Sequence, residues 1–214
     1  MGGVKDGKEM SVPKGKRRQS RFEAQHHFYR LRTEVTNLML QDFGFSTEKY
    51  QKQIDWYRCS HEAADTVDEV VARYEKKCES FNKWFIDREC DTVLEILRTI
   101  ESEFTQGNSI HPSDTPARLI EYISRRHHIN NAIANCYALK QEIHYIIRTL
   151  PVDLNKYKRF AEMIDKQIAL YKGVRQSDNR FVRENKTNKL SHEAIAVTNA
   201  IAALIAKLSE TETG

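Results

Sequence analysis

Apolar residues recur every three or four positions along most of the chain, and this spacing predicts amphipathic α-helices. The first stripe follows Ser20, which forms a capping-box pattern with Glu23 at a helix start. Gly44 is the predicted end of this helix, and Ser46 is the predicted cap of the next one. The first stripe consists of Phe28, Leu31, Val35, Leu38 and Met39.

The middle of the chain predicts two successive helices. A charged helix over residues 64–78 precedes a stretch with the 3.5-residue rhythm of a bundle helix. Gly107 and Pro112 interrupt the pattern, and Asp114 or Thr115 is the predicted N-cap of the following helix. The apolar positions of the bundle helix are Phe81, Trp84, Phe85, Ile86, Val93, Leu94, Ile96, Leu97, Ile100 and Phe104.

Two more helices are predicted beyond this break. One runs from Ala117 to Leu150, and at about 50 Å it is too long to bury its apolar face alone. Pro151 ends it, residues 153–155 cap a last bundle helix, and Gly173 is the predicted end of that helix. The two stripes consist of Leu119, Ile123, Ile129, Ile133, Cys136, Ile143 and Ile147, and of Tyr157, Ala161, Ile164, Ile168 and Tyr171.

These elements predict an all-α protein, an elongated antiparallel four-helix bundle over residues 20–175. Residues 1–19 mix Gly, Lys, Pro and Arg without periodicity and predict a disordered basic arm. Residues 176–190 predict a basic linker. Residues 191–214 predict an extra amphipathic C-terminal helix and tail, with Ile195, Ile201, Ile205 and Leu208 on one face.

The amino-acid composition excludes several classes of protein. Eight Gly and four Pro among 214 residues are too few for a turn-dense β sandwich or barrel. No apolar run approaches the roughly 20 residues that a membrane span needs, and the N-terminus does not resemble a signal peptide. The four cysteines form no CxxC pair, so we expect reduced thiols in a cytoplasmic protein that needs no cofactor and no metal.

Charge is distributed unevenly along the chain. Residues 1–21 carry seven Lys/Arg against two Asp/Glu, and residues 151–190 carry ten against five, whereas residues 22–150 carry 16 against 20. Two basic segments around a nearly balanced body are typical of a protein with an anionic partner. Solvated lysine-rich tails would produce the same pattern.

Candidate catalytic groups are few. Glu23 and His26 have the Glu-x-x-His spacing of a di-iron bundle, but no second such pair exists and the capping box already accounts for Glu23. Arg21 and His26 have the spacing of helical HEPN-type RNases, although the first turn of a helix beside a disordered arm is a poor place to hold a phosphate-cleaving pair. No catalytic constellation emerges, and we do not expect an enzyme.

Basic and aromatic side chains are the candidate groups for nucleic-acid binding. Arg125 and Arg126 precede His127 and His128 in the middle of a helix, where they would form either a solvated face or a set of phosphate contacts. Several tyrosines could stack on nucleobases, although at helical spacing most are expected in the core. These tyrosines are Tyr29, Tyr57, Tyr137, Tyr145 and Tyr171.

A set of short motifs points to one family. They are SVPKGKR over 11–17, GNSIHP over 107–112, the Arg pair at 125–126, LPVDLNKY over 150–157 and IALYKGVRQSDNR over 168–180. In these motifs the chain resembles the bacterial and phage four-helix-bundle family that contains the accessory variability determinant (Avd) of diversity-generating retroelements and the ribosomal intervening-sequence proteins. The match covers about half the chain, and its motifs consist of turn and helix-terminus residues and of basic positions.

The resemblance implies a cytoplasmic bundle that forms a homo-oligomer, a barrel-like pentamer. It also implies a non-catalytic accessory role beside a reverse transcriptase and a structured template RNA. Residues 46–106 are longer than the corresponding part of the family, and the tail after Arg180 is extra. The family's basic surface would fall on Arg17, Arg18, Arg125, Arg126, Lys156, Lys158, Arg159, Lys172 and Arg175.

Three functions therefore stand in order. A nucleic-acid-binding accessory subunit comes first. A helical scaffold that binds other proteins, with the C-terminal helix as its interaction segment, comes second. An RNase that uses Arg21 and His26 comes third.

Overall fold

The computed structural model of the chain describes residues 21–62, 66–112 and 117–179, and over these residues it is all-α, as the sequence predicts. The predicted arm over 1–19 and the C-terminal helix over 191–214 lie outside the described residues. Among the described helices, none combines the length and apolar character needed to cross a membrane. The helices are α1 (Arg21–Met39), α2 (Thr47–Ser60), α3 (Val67–Ser109), α4 (Arg118–Thr149) and α5 (Tyr157–Ser177).

The chain reverses after α1 through three consecutive residues with positive φ, Asp42, Phe43 and Gly44. Helix α1 thus ends at Met39, five residues before the predicted end at Gly44, while the chain reversal itself falls at the predicted glycine. The side chain of Phe43 is fully buried, and the Tyr157 hydroxyl donates a hydrogen bond to its carbonyl oxygen. Burial of the Phe43 ring offsets the cost of its left-handed backbone, which L-residues otherwise avoid.

Helix α2 begins where the sequence predicts. The Ser46 hydroxyl accepts a hydrogen bond from the backbone N–H of Lys49 at 3.3 Å. The helix packs on the first half of α3 through a small cluster of its own, in which the rings of Tyr57 and Tyr74 stack with centroids 3.7 Å apart.

Helix α3 is one continuous helix of 43 residues, about 65 Å long, where the sequence predicted two. The predicted boundary between Cys78 and Phe81 was wrong because no Gly or Pro occurs between Val67 and Gln106 to interrupt the backbone hydrogen bonds. The first half of the helix carries α2, and the second half joins the main core.

The main core lies among four helices. Helix α1 contacts α3 and α5, and α4 contacts the same two helices. Most residues of the predicted stripes fill this core, with Leu31, Leu97, Cys136 and Ile164 fully buried. Phe81, Trp84 and Ile123 were wrongly predicted to be buried and are 45 %, 60 % and 41 % exposed. Trp84 and Ile123 stand next to buried residues of their helices, and adjacent helical residues point about 100° apart.

The last turn of α3 packs closely against α4 at Gly107. Gly107 is buried, and a Cβ atom there would lie 3.1 Å from Cγ1 of Ile129 and 3.3 Å from the carbonyl oxygen of Arg125. The predicted caps Asp114 and Thr115 lie outside the described residues.

The predicted end of α5 at Gly173 was wrong. Gly173 does not adopt a positive φ, and the helix continues to Ser177. Burial of Tyr171 and Val174 in the core keeps this last turn in place, so tertiary packing outweighs the weak helix propensity of glycine.

Candidate nucleic-acid interface

The nine basic residues predicted to contact nucleic acid fall into three groups. Arg17 and Arg18 lie outside the described residues. Arg125 is buried. The other six side chains are exposed or half-buried, and they are Arg126, Lys156, Lys158, Arg159, Lys172 and Arg175.

Arg125 does not belong to the exposed basic surface, which corrects the sequence prediction. Its Nε donates a hydrogen bond to Oδ2 of Asp178 at 2.7 Å, in an ion pair whose side chains are 1 % and 2 % exposed. Its Nη1 also donates to the carbonyl oxygens of Gly107 and Ile110. Arg125 stands four residues before Ile129, so helical spacing already placed it in the buried stripe.

Arg126, the next residue along α4, points towards α5. Its Nη1 donates to the hydroxyl of Tyr122 at 2.8 Å and to Oδ1 of Asn179 at 3.0 Å. Its guanidinium carbon lies 5.9 Å from the centroid of the Tyr122 ring. Both hydrogen-bond acceptors are neutral, so they orient the guanidinium group without cancelling its charge.

Two cations of α5 are held in the same way. Nη1 of Arg175 donates to Oδ1 of Asn130 at 2.9 Å. Nζ of Lys172 donates to the hydroxyl of Tyr137 at 2.8 Å and lies 5.3 Å from the centroid of its ring. We call the set of Arg126, Asn130 and Tyr137 of α4 with Lys172, Arg175 and Asn179 the α4–α5 seam.

A second basic group lies at the start of α5. Lys156 and Lys158 are exposed and form no ion pair with any residue that the structure describes. Arg159 forms an ion pair with Glu34 of α1, so its charge is partly compensated.

The charges of the helices polarise the molecule. Residues 154–177 carry six Lys/Arg against two Asp/Glu, whereas residues 67–109 carry six against ten. Because α3 and α5 each pack against both α1 and α4, the basic and acidic helices lie across the core from one another. One side of the molecule therefore attracts anions more strongly than the other.

Asn130, Tyr137 and Asn179, which accept hydrogen bonds from the seam cations, were not predicted from the sequence. Asn130 lies four residues after Arg126, and Tyr137 lies on the same helical face, so helical spacing alone could have identified these two. Asn179 follows the end of α5, and only the fold brings it to Arg126. Of the tyrosines considered for base stacking, Tyr137 is 44 % exposed and Tyr171 is buried, with its ring stacked on Phe104.

The described residues do not form a metal site, and they do not test the RNase pair. No three His, Cys, Asp or Glu side chains within residues 21–62, 66–112 and 117–179 are grouped to hold a metal ion. His26 is exposed on α1. The side chain of Arg21 lies outside the described part of the chain, so the RNase hypothesis stays a prediction.

One buried carboxyl group lies between α3 and α4. Glu89 is 6 % exposed, and burial together with the neighbouring Glu142 carboxylate raises the pKa of Glu89 to about 7. Its Oε2 atom has no hydrogen-bond partner among the described residues. This group is a source of pH-dependent stability.

Aromatic rings form a separate surface on α3 and α4. Phe81 lies 5.9 Å from Trp84 and 5.6 Å from Phe85, and Phe85 lies 5.4 Å from Tyr145, all between ring centroids. Trp84, Tyr145 and Phe81 are exposed, whereas Phe85 is buried beneath them. We call these four rings the aromatic ladder.

Comparison with protein-family models, with curated proteins and with solved structures finds no match to this chain.

Proposed function

We propose that this protein is a non-catalytic accessory subunit that binds nucleic acid through the α4–α5 seam and the basic start of α5. The observation that carries the proposal is that Arg126, Lys172 and Arg175 are oriented by neutral acceptors. A cation paired with a carboxylate must give up that partner to bind phosphate, whereas these three cations keep their full charge and a fixed position.

The family resemblance supplies the partners of this proposal. They are a structured template RNA or its cDNA and a reverse transcriptase, in a cytoplasmic complex. We propose that α1, the second half of α3, α4 and α5 form an antiparallel four-helix bundle, and that copies of it assemble into a homo-oligomer such as a pentamer. The mutual contacts of these four helices support the bundle.

Salt dependence provides the first test. Five cations of the interface lack a carboxylate partner among the described residues, and they are Arg126, Lys156, Lys158, Lys172 and Arg175. If each contacts one phosphate, affinity for a labelled RNA hairpin should fall about 500-fold between 50 and 200 mM salt.

Charge removal localises the interface. The double variant Lys172→Gln/Arg175→Gln should weaken binding at low salt and reduce the salt slope by about two. Lys76→Gln/Lys77→Gln, which removes the same charge from exposed positions of α3, is the matched control and should leave the slope unchanged. Equal effects of the two variants would mean that only total charge matters, and the seam would not be the interface.

A second candidate function is a protein-binding scaffold, which the aromatic ladder favours. Exposed Trp and Tyr side chains are common at the centres of protein interfaces. Absence of RNA binding by the unaltered protein at 50 mM salt would contradict the first proposal and favour this one.

A further inference from the structure

The α4–α5 seam leads into a groove of about 190 Å³ between the same two helices. Its apolar wall is the half-buried Ile147, with the buried Ile143 and Ile164 behind it. Ala161 leaves the space open, because its methyl group stands between the larger side chains of Tyr157 and Ile164 on α5.

Basic groups surround this apolar wall. Lys140, His144 and Lys158 line the groove. Nζ of Lys140 is held by both carboxylate oxygens of Asp165, at 2.7 and 2.9 Å, whereas Lys158 forms no ion pair with any residue in the described ranges. An apolar slot beside one unpaired cation, Lys158, suits a ligand that is flat, apolar on its faces and attached to an anion.

The groove continues the seam along α4. Lys140 follows Tyr137 by three residues, and His144 follows Lys140 by four, so these side chains lie on the face that carries Arg126 and Asn130. From Arg126 to His144 the helix rises about 27 Å. One nucleic-acid strand advances about 3.4 Å per nucleotide, so about eight nucleotides would cover this length.

We propose that the groove receives one unpaired base of a single-stranded segment whose phosphates lie on the seam, an inference that rests on the proposed function. An apolar cavity of about 150 Å³ holds a benzene ring, so a groove of 190 Å³ admits one heterocyclic ring. Bases of a duplex are stacked and paired and do not reach the groove. The seam therefore selects single-stranded over double-stranded RNA.

Filling the groove tests this selection without changing any charge. Ala161→Leu should weaken binding of an oligouridine of about 12 nucleotides by about tenfold, within the five- to 150-fold range typical of one bound base. It should leave binding of an RNA duplex of the same length unchanged. Ala138→Leu is the matched control, because it adds the same side chain at an exposed position of α4 outside the groove.

Three results would overturn the inference. If Ala161→Leu binds oligouridine like the unaltered protein, with the same salt slope, the groove holds no base although the proposed function stands. If both RNAs lose affinity equally, the substitution disturbs the seam as a whole. If the unaltered protein binds neither RNA at 50 mM salt, the proposed function fails first.

A second measurement does not depend on the variant folding. A chain of abasic riboses of the same length keeps the phosphates and lacks the bases. The unaltered protein should bind it about tenfold more weakly than oligouridine, and equal affinities would overturn the inference.

Discussion

Arg125 and Arg126 are adjacent arginines whose replacement should have opposite consequences. Arg125→Met removes a buried guanidinium group and leaves the Asp178 carboxylate, which is 2 % exposed, without its cation. It also removes the donor for the carbonyl oxygens of Gly107 and Ile110. Breaking one side of a buried ion pair typically costs about 3–5 kcal/mol.

The expected loss in free energy of unfolding is therefore about 3–5 kcal/mol, or about 6–20 °C in Tm for a chain of this size. Urea denaturation at neutral pH measures it directly. Arg126→Met is the matched control, and we expect it to cost at most about 1 kcal/mol. The Arg126 side chain is only half-buried, Asn179 is exposed to solvent, and the Tyr122 hydroxyl still donates a hydrogen bond to Asn179.

The double variant Arg125→Met/Asp178→Leu separates charge from packing. Removing both charges should restore part of the lost stability, since a buried pair can often be replaced by apolar residues without a net cost. The two carbonyl oxygens still lack their donor, so restoration should be incomplete. In the folded variants, the salt slope of RNA binding should fall by about one for Arg126→Met and stay unchanged for Arg125→Met.

If Arg125→Met were no more destabilising than Arg126→Met, Arg125 would not be a buried structural cation. It would instead reach solvent, as its place in the predicted basic surface implied. A reduced salt slope for Arg125→Met would lead to the same conclusion.

Two further substitutions test the α3–α4 contact. Glu89 carries a raised pKa of about 7, so above that pH the folded protein holds an unfavourable buried charge, and below it the carboxyl group is protonated. Glu89→Gln should therefore raise Tm more at about pH 8 than at about pH 5 in thermal melts, and an increase of equal size at both would contradict this assignment. Gly107→Ala should lower the free energy of unfolding by about 1 kcal/mol, because a Cβ atom 3.1 Å from Ile129 overpacks the contact by more than the gain in helix propensity. Stabilisation in urea denaturation would show that α4 moves away to admit the methyl group.

Local patterns were sufficient for most of the helical framework. The period of apolar residues predicted the core positions of α1, α4 and α5, including the fully buried Cys136. The cap at Ser46 and the chain reversal near Gly44 were predicted from the residue types Ser and Gly, which favour helix starts and helix ends. Each depends on groups within about one turn of the chain, so the sequence contains all the information required.

Helix boundaries inside the core were less predictable. Gly173 is a helix-ending residue by propensity, yet α5 passes through it because Val174 is buried against other helices. Tertiary contacts outweigh propensities of about 1 kcal/mol per residue. The continuity of α3 across residues 78–81 was missed for a different reason, because the absence of Gly and Pro there is visible in the sequence itself.

The candidate site shows the same division at the level of single residues. Counting charges and apolar positions is enough to show that α5 and its flanks are basic and that Arg125 and Arg126 lie on one helix. Which of the two arginines is available to a ligand depends on the packing of α5 against α4. Asp178 contacts Arg125 from 53 residues away, and Asn179, the next residue, contacts Arg126. Adjacent helical residues point about 100° apart, so the partner that α5 brings to each one separates a structural cation from an interfacial one.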